Sequence, residues 1–161
     1  MIIALDGYDV KLLAALQDNA ALTNAELGSV INLSASQVSR RRQKLEDAGI
    51  IRRYKASLDP EALGLTVTAF VGVTLGAHSK ENARKFRNMV TAMPEVQEAH
   101  TLTGDVDYML KIVVPDLKTL SHIINDDLLP QEAVHHVRSS IAMETLKDDN
   151  LLPLNQGQVG V

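Results

Sequence analysis

Two capping boxes with starts eleven residues apart constrain the N-terminal third of this chain more than any other feature. Thr23-Asn24-Ala25-Glu26 and Ser34-Ala35-Ser36-Gln37 each place a hydroxyl residue three positions before Glu or Gln. That pattern satisfies two orphan backbone donors at a helix start. Starts this close leave room for one short helix, with Leu27, Val30 and Ile31 as its apolar positions, and a tight turn at Asn32-Leu33. Upstream, Val10, Leu13 and Leu16 recur at helical spacing with Leu12 beside them, predicting a helix over Asp9 to Gln17. Downstream, Val38 and Leu45 lie one heptad apart, and Gly49 supplies a stop. Two helices joined by a turn of about three residues have helix-turn-helix geometry.

The charge distribution agrees with that geometry. The net charge is −4, but residues 34–55 hold Arg40, Arg41, Arg42, Lys44, Arg52, Arg53 and Lys55 against only Glu46 and Asp47. This stretch is therefore +5 and the remainder −9, an asymmetry suited to a local phosphate footprint on an acidic body. The helix after the turn carries the cluster. Ser34, Ser36, Gln37, Ser39, Arg40, Arg41 and Lys44 are the types that reach base edges and phosphates in a major groove. Ile50 to Lys55 reads as a short strand, one side of a wing with Arg52 and Arg53 on its basic edge. The alternative reading of Arg40 to Lys44 is a solvated helix face, and the capped helix-turn-helix context argues against it.

Pro60 and Gly64 mark a boundary, after which the pattern changes to period two. Val67, Ala69, Val71, Val73 and Leu75 line one face of a strand, with Thr66, Thr68, Phe70, Gly72 and Thr74 on the other. A helix over Ser79 to Met93 follows, then strands over Val96 to Thr103 and Tyr108 to Val114 around a Gly104-Asp105-Val106-Asp107 turn. Asp116 caps a further helix with Leu117, Leu120, Ile123 or Ile124, and Leu128 as its stripe, and a strand over Val134 to Met143 closes the series. The order β-α-β-β-α-β is the ferredoxin-like split arrangement, giving an α+β chain with a winged helix-turn-helix in front. The expected boundaries are 1–56 for the DNA-binding domain, 57–65 for a linker, 66–150 for the ferredoxin-like oligomerisation domain, and 151–161 for a tail. In the tail, Leu151, Leu152 and Leu154 are expected to pack on a neighbour, and Asn155 to Val161 to fray. A sheet with helices on one side leaves an apolar face open, which predicts sheet-to-sheet dimerisation.

Composition narrows the classes. Without Cys there are no disulfides or thiolate metal sites, and with aromatics at 3% the core is expected to be aliphatic. No basic leader and no long apolar run precede the first helix, and no stretch is long enough to span a bilayer. The expected location is the cytoplasm, on the nucleoid. No nucleophile–base pair, metal constellation or phosphate loop is visible, so no catalytic residue, metal or cofactor is expected.

The residues resemble the Lrp/AsnC, or feast/famine, family of regulators from Leu5 to about Asn150. In the first domain the matching pieces are Leu5-Asp6, Asp9, Leu12-Leu13, Leu16-Gln17, Glu26-Leu27, Leu33-Ser34, Arg41, Leu45-Glu46, Gly49-Ile50-Ile51 and Tyr54. In the second they are Thr103 to Tyr108, Leu110, Val114-Pro115-Asp116, Val134, Glu144 and Lys147. The resemblance implies a transcriptional regulator that binds double-stranded DNA. It also implies a homodimer through the C-terminal domains, further association into octamers, and an amino-acid effector held between dimers. By position the effector residues would be Thr103, Gly104, Asp105, Asp107 and Tyr108, with Ser139 and Ser140 on the last strand. Backbone donors at a Gly turn suit a carboxylate and an Asp suits an ammonium. Equally, both Asp residues are ordinary turn formers, and Gly104 is a natural choice for a positive φ.

Two departures from the family stand out. Arg42 occupies a usually apolar position, its stem expected to cover apolar surface while the guanidinium reaches a phosphate. Gln131-Glu132-Ala133-Val134 replaces the usual turn before the final strand. Two competing functions remain. One is an enzyme on the same scaffold, resembling siroheme decarboxylases, to which His100, His135 and His136 lend a thread; the other is an effector-independent architectural DNA binder.

Overall fold

In the computed structural model, which describes residues 4–76, 79–148 and 151–154, each N-terminal helix starts on a side-chain cap. Asp6 opens α1 (Gly7–Asp18), Thr23 opens α2 (Asn24–Ile31) and Ser34 opens α3 (Ala35–Asp47), each in a reciprocal capping box. The first of these, Asp6 with Asp9, starts α1 two residues before the sequence expectation. Leu12, Leu13, Leu16, Leu27, Ile31, Val38 and Leu45 form the buried core of this unit. α3 ends on a Schellman pair, with Gly49 N–H donating to Glu46 C=O at 2.8 Å and Ile50 N–H to Leu45 C=O at 3.0 Å.

The expected strand over Ile50 to Lys55 does not form; this segment is irregular chain. β propensity alone does not make a strand: a ladder needs a partner, and none pairs with it among the described residues. The chain divides into two compact units, Met1–Ser57 with Lys147–Val161, and Leu58–Leu146. In the first, Leu152 and Gln17 exchange two hydrogen bonds, N–H to Oε1 at 2.7 Å and Nε2 to C=O at 3.2 Å, and Leu154 packs on the helical core. Of the leucines expected on a neighbour, Leu154 thus packs within its own chain, while the side chains of Leu151 and Leu152 are exposed. The expected fraying of 155–161, the end of the second domain at Asn150 and the first three residues lie outside the described residues.

The second unit is a four-stranded antiparallel sheet with helices on one face. Its strands are β1 (Val67–Leu75), β2 (Val96–Thr101), β3 (Tyr108–Val114) and β4 (Val134–Ile141), in the order β2-β3-β1-β4. Helix α4 (Lys80–Ala92) joins β1 to β2. After β3, α5 (Leu117–His122) widens into a π-helical turn over Ile123–Leu128. That widening suits the apolar spacing, because Leu120, Ile123 and Leu128 are buried while Leu117 stays exposed. β2 ends at Thr101, short of the expected Thr103, although the Leu102 N–H still reaches across the hairpin to Asp107 C=O at 2.9 Å. The core is aliphatic except for Phe86 and Tyr108, whose ring centroids lie 4.7 Å apart.

The sheet face away from the helices is less apolar than the sequence pattern implied. Phe70 is 44% exposed there, but its β3 neighbour Lys111 pairs with Glu98 at 3.1 Å, and His100 lies 3.4 Å from Glu98. At the start of β4 the register shifts beside Leu75, and the substituted turn closes by Gly76 N–H to Ala133 C=O at 2.9 Å. Among the described residues no helix is long and apolar enough to cross a membrane.

Candidate nucleic-acid interface and effector turn

The outward face of α3 follows from what its inward face must bury. Val38 and Leu45 are fully buried, so the residues between them on the opposite side turn to solvent. Ser36, Ser39, Arg40, Gln43 and Lys44 line an open groove of about 760 Å3 there, together with Asp47, whose carboxylate accepts from Gln43 Nε2 at 2.8 Å. Gln43 belongs to this face although the sequence reading omits it; its place three after Arg40 and seven after Ser36 was the available signal. Ser34 and Gln37 serve the cap. Gln37 Oε1 accepts from Ser34 N–H and Oγ–H, both at 2.9 Å, and Ser34 Oγ accepts from Gln37 N–H at 3.3 Å. The helix N-terminus they close carries a partial positive charge that favours a phosphate.

The approach of α2 to α3 depends on Gly28. A Cβ there would collide with the Leu33 carbonyl oxygen, in the turn whose Leu33 N–H bonds to Gly28 C=O at 2.9 Å. Asn32 adopts the left-handed conformation, φ 59°, that closes α2.

Two of the seven cations are turned to other work. Arg41, expected at phosphates, donates through Nη1 to Asp9 at 2.6 Å and Asp6 at 2.7 Å, locking α3 to α1. It lies on the same helix stripe as Val38 and Leu45, and its partner Asp9 is 1% exposed. The Asp9 backbone N–H, with Arg41 adding to it, holds the Asp6 carboxyl below its ordinary range. Arg42 stacks on Tyr54, guanidinium to ring centroid 4.5 Å, and its Nε donates to the Tyr54 hydroxyl at 2.8 Å and Glu46 at 3.3 Å. Its expected reach to a phosphate is thus replaced by a local ion pair. Tyr54 donates to Glu46 at 2.7 Å, and burial followed by that acceptor pushes its pKa up. Arg40, Lys44, Arg52, Arg53 and Lys55 are exposed, and among the described residues none is in an ion pair.

In the second unit, Gly104 has φ 131°, so the turn there favours a residue without a Cβ. Thr103, Gly104 and Asp105 are exposed. Asp107 is a structural anchor: its N–H bonds to Val73 C=O at 3.0 Å and its Oδ2 accepts the Leu75 N–H at 2.7 Å. Tyr108 is buried against Phe86. Ser139 and Ser140 are not brought to this turn within one chain. They sit on β4, opposite Val71 and Phe70, with β1 between them and β3, and they point to opposite faces of the sheet. Instead, Asp107, Thr101 and Tyr108 share a cleft of about 680 Å3 with Lys80, Arg84 and Arg87 of α4. The sequence reading passed over those three cations, whose i, i+4, i+7 spacing marks one helix face.

A capped helix-turn-helix with a cationic outward face, followed by a βαββαβ unit, defines a two-part DNA-binding regulator. The winged helix-turn-helix DNA-binding family matches residues 5–52, and the Lrp/AsnC ligand binding domain matches residues 68–152. Transcriptional regulator AzlB of Bacillus subtilis (strain 168) is 36% identical over 96% of this chain and 98% of its own length. The leucine-responsive regulatory protein of Rhizobium meliloti is 36% identical over 91% and 94%. An L-Met complex of a transcriptional regulator from Neisseria meningitidis superposes with TM-score 0.91 at 40% identity, covering 94% of this chain and 97% of that one. The chain belongs to the Lrp/AsnC family of transcriptional regulators.

Proposed function

We propose that α3 reads duplex DNA through Ser36, Ser39, Arg40, Gln43 and Lys44, with Arg52 and Arg53 gripping adjacent backbone, and that an amino acid bound at the Gly104–Asp107 turn modulates this binding. The observation that carries the DNA reading is the α3 face, where side chains with donors and cations without an ion-pair partner among the described residues flank a capped helix start. The turn supplies backbone donors and the Asp107 carboxylate, and the L-Met complex of the Neisseria relative supports an amino-acid ligand. The working form is a homodimer joined through the open sheet faces around Phe70, able to associate further into octamers, acting on the nucleoid in the cytoplasm. Ser139 and Ser140 contribute to the effector site only through such a neighbour. The test is fluorescence anisotropy on a selected operator duplex across a salt series. Arg40→Ala and Lys44→Ala together should weaken binding and flatten the log–log salt slope by about 0.9 per lost phosphate contact. An unchanged affinity and slope would remove α3 from the interface.

A further inference from the structure

The cleft beside Asp107 is more cationic than a neutral amino acid needs. Lys80, Arg84 and Arg87 line it and are exposed, and among the described residues none has a carboxylate within ion-pair distance. Lys85, on the same helix, is paired with Glu81 at 3.3 Å, so α4 pairs a cation where it points elsewhere. Like charges three and four apart on one helix face repel, and an anion between them would offset that. The opposing wall holds Asp107, with Oδ2 occupied by the Leu75 N–H and Oδ1 left to accept. Leu75, Ala83 and the Tyr108 ring supply apolar lining for a short methylene chain. At about 680 Å3 the cleft lies within the range of small-molecule sites, roughly 300–1,000 Å3.

Resting on the reading of Gly104–Asp107 as the effector turn, we infer that the effector lies on the α4 side of that turn and is an α-amino acid with an acidic side chain. Its ammonium pairs with Asp107, and Arg84 and Arg87, assisted by Lys80, hold its carboxylates. Three cations against one carboxylate leave the cleft lining at +2. A zwitterion does not change that value, whereas a ligand with two carboxylates and one ammonium lowers it. Arginine presents a planar fork that fits a carboxylate in two-point contact, which a hydrated lysine does not.

The test is calorimetry on the full chain at low salt with L-glutamate, L-aspartate, L-methionine and L-leucine as probes. An acidic amino acid should bind at least about tenfold more tightly than a neutral one, the scale of one charged hydrogen bond. Arg84→Gln with Arg87→Gln should abolish that preference, while Lys85→Gln, which removes a charge outside the cleft, should keep it. Both surface variants should melt like the parent. Equal binding of neutral and acidic ligands overturns the inference. So does a double variant that still prefers the acidic ligand. If Asp107→Asn weakens every ligand while the arginine variants change nothing, the turn reading stands and the α4 assignment falls. If none of the four binds the parent protein, both fall.

Discussion

Removing the Arg41 side chain strands the Asp9 carboxylate, 1% exposed, without its cation. Breaking a buried pair from one side costs about 3–5 kcal/mol. Because Arg41 itself is 25% exposed, Arg41→Ala should fall near the lower end, about 3 kcal/mol, in chemical denaturation of the N-terminal unit. Adding Asp9→Asn should recover part of the loss. Arg40→Ala, one residue away and exposed, should leave the melting curve alone. The neighbouring Asp6 also sets an acid limit. The Asp6 carboxyl titrates below its ordinary value in the fold, so its contribution is complete above the unfolded value of about 4 and disappears as pH falls through the folded one. Asp6→Asn should flatten the stability–pH curve in that acidic window; an unchanged curve would show that the cap and Arg41 contacts of Asp6 do not favour its charged form in solution.

At the scale of elements, the turn between α2 and α3 rests on a close backbone approach. Gly28→Ala forces a methyl against the Leu33 carbonyl, and relief requires the helices to part. We expect a loss of about 1–3 kcal/mol and weaker DNA binding in proportion to the folded fraction. If Gly28→Ala melts at or above the parent, through the higher helix propensity of Ala, the approach is not tight in solution. The elements readable in advance were those whose signal is local. Thr23 and Ser34 announce helix starts within four residues, and alternation from Val67 to Leu75 defines β1. What escaped depends on distant partners. Ile50 to Lys55 has strand composition but no partner strand among the described residues. Arg41 carries the charge of a phosphate contact, and only the burial of Asp9 on another helix redirects it. Spacing did contain a hint, because position 41 falls on the Val38–Leu45 stripe. The cations of α4 gain meaning only when the fold sets them across a cleft from Asp107.

At the scale of the whole molecule, the DNA-binding unit is closed by residues from the far end of the chain. Leu154 adds apolar cover to the core of α1 to α3, and Leu152 is stitched to Gln17 across 135 residues of sequence. Leu154→Ala should lower the stability of this unit by about 1–2 kcal/mol, the scale of a partly buried leucine side chain. Amide exchange in α1 should quicken while exchange in β1 and β3 holds; uniform quickening, or none, would deny the segment this role.

That stitch gives the order of synthesis a physical meaning. At about 5–20 residues per second, the partner of Gln17 leaves the ribosome roughly 7 to 27 s after Gln17 itself. Through that interval the core of the three helices lacks the cover of Leu154, and the whole sheet unit is made before Leu152 and Leu154 arrive. In the nascent chain this unit therefore reaches its final stability only once residues 152–154 have been made. A polypeptide fused behind residue 154 would load the segment that finishes the DNA-reading head, so a fusion placed far from that head in sequence acts on it in space.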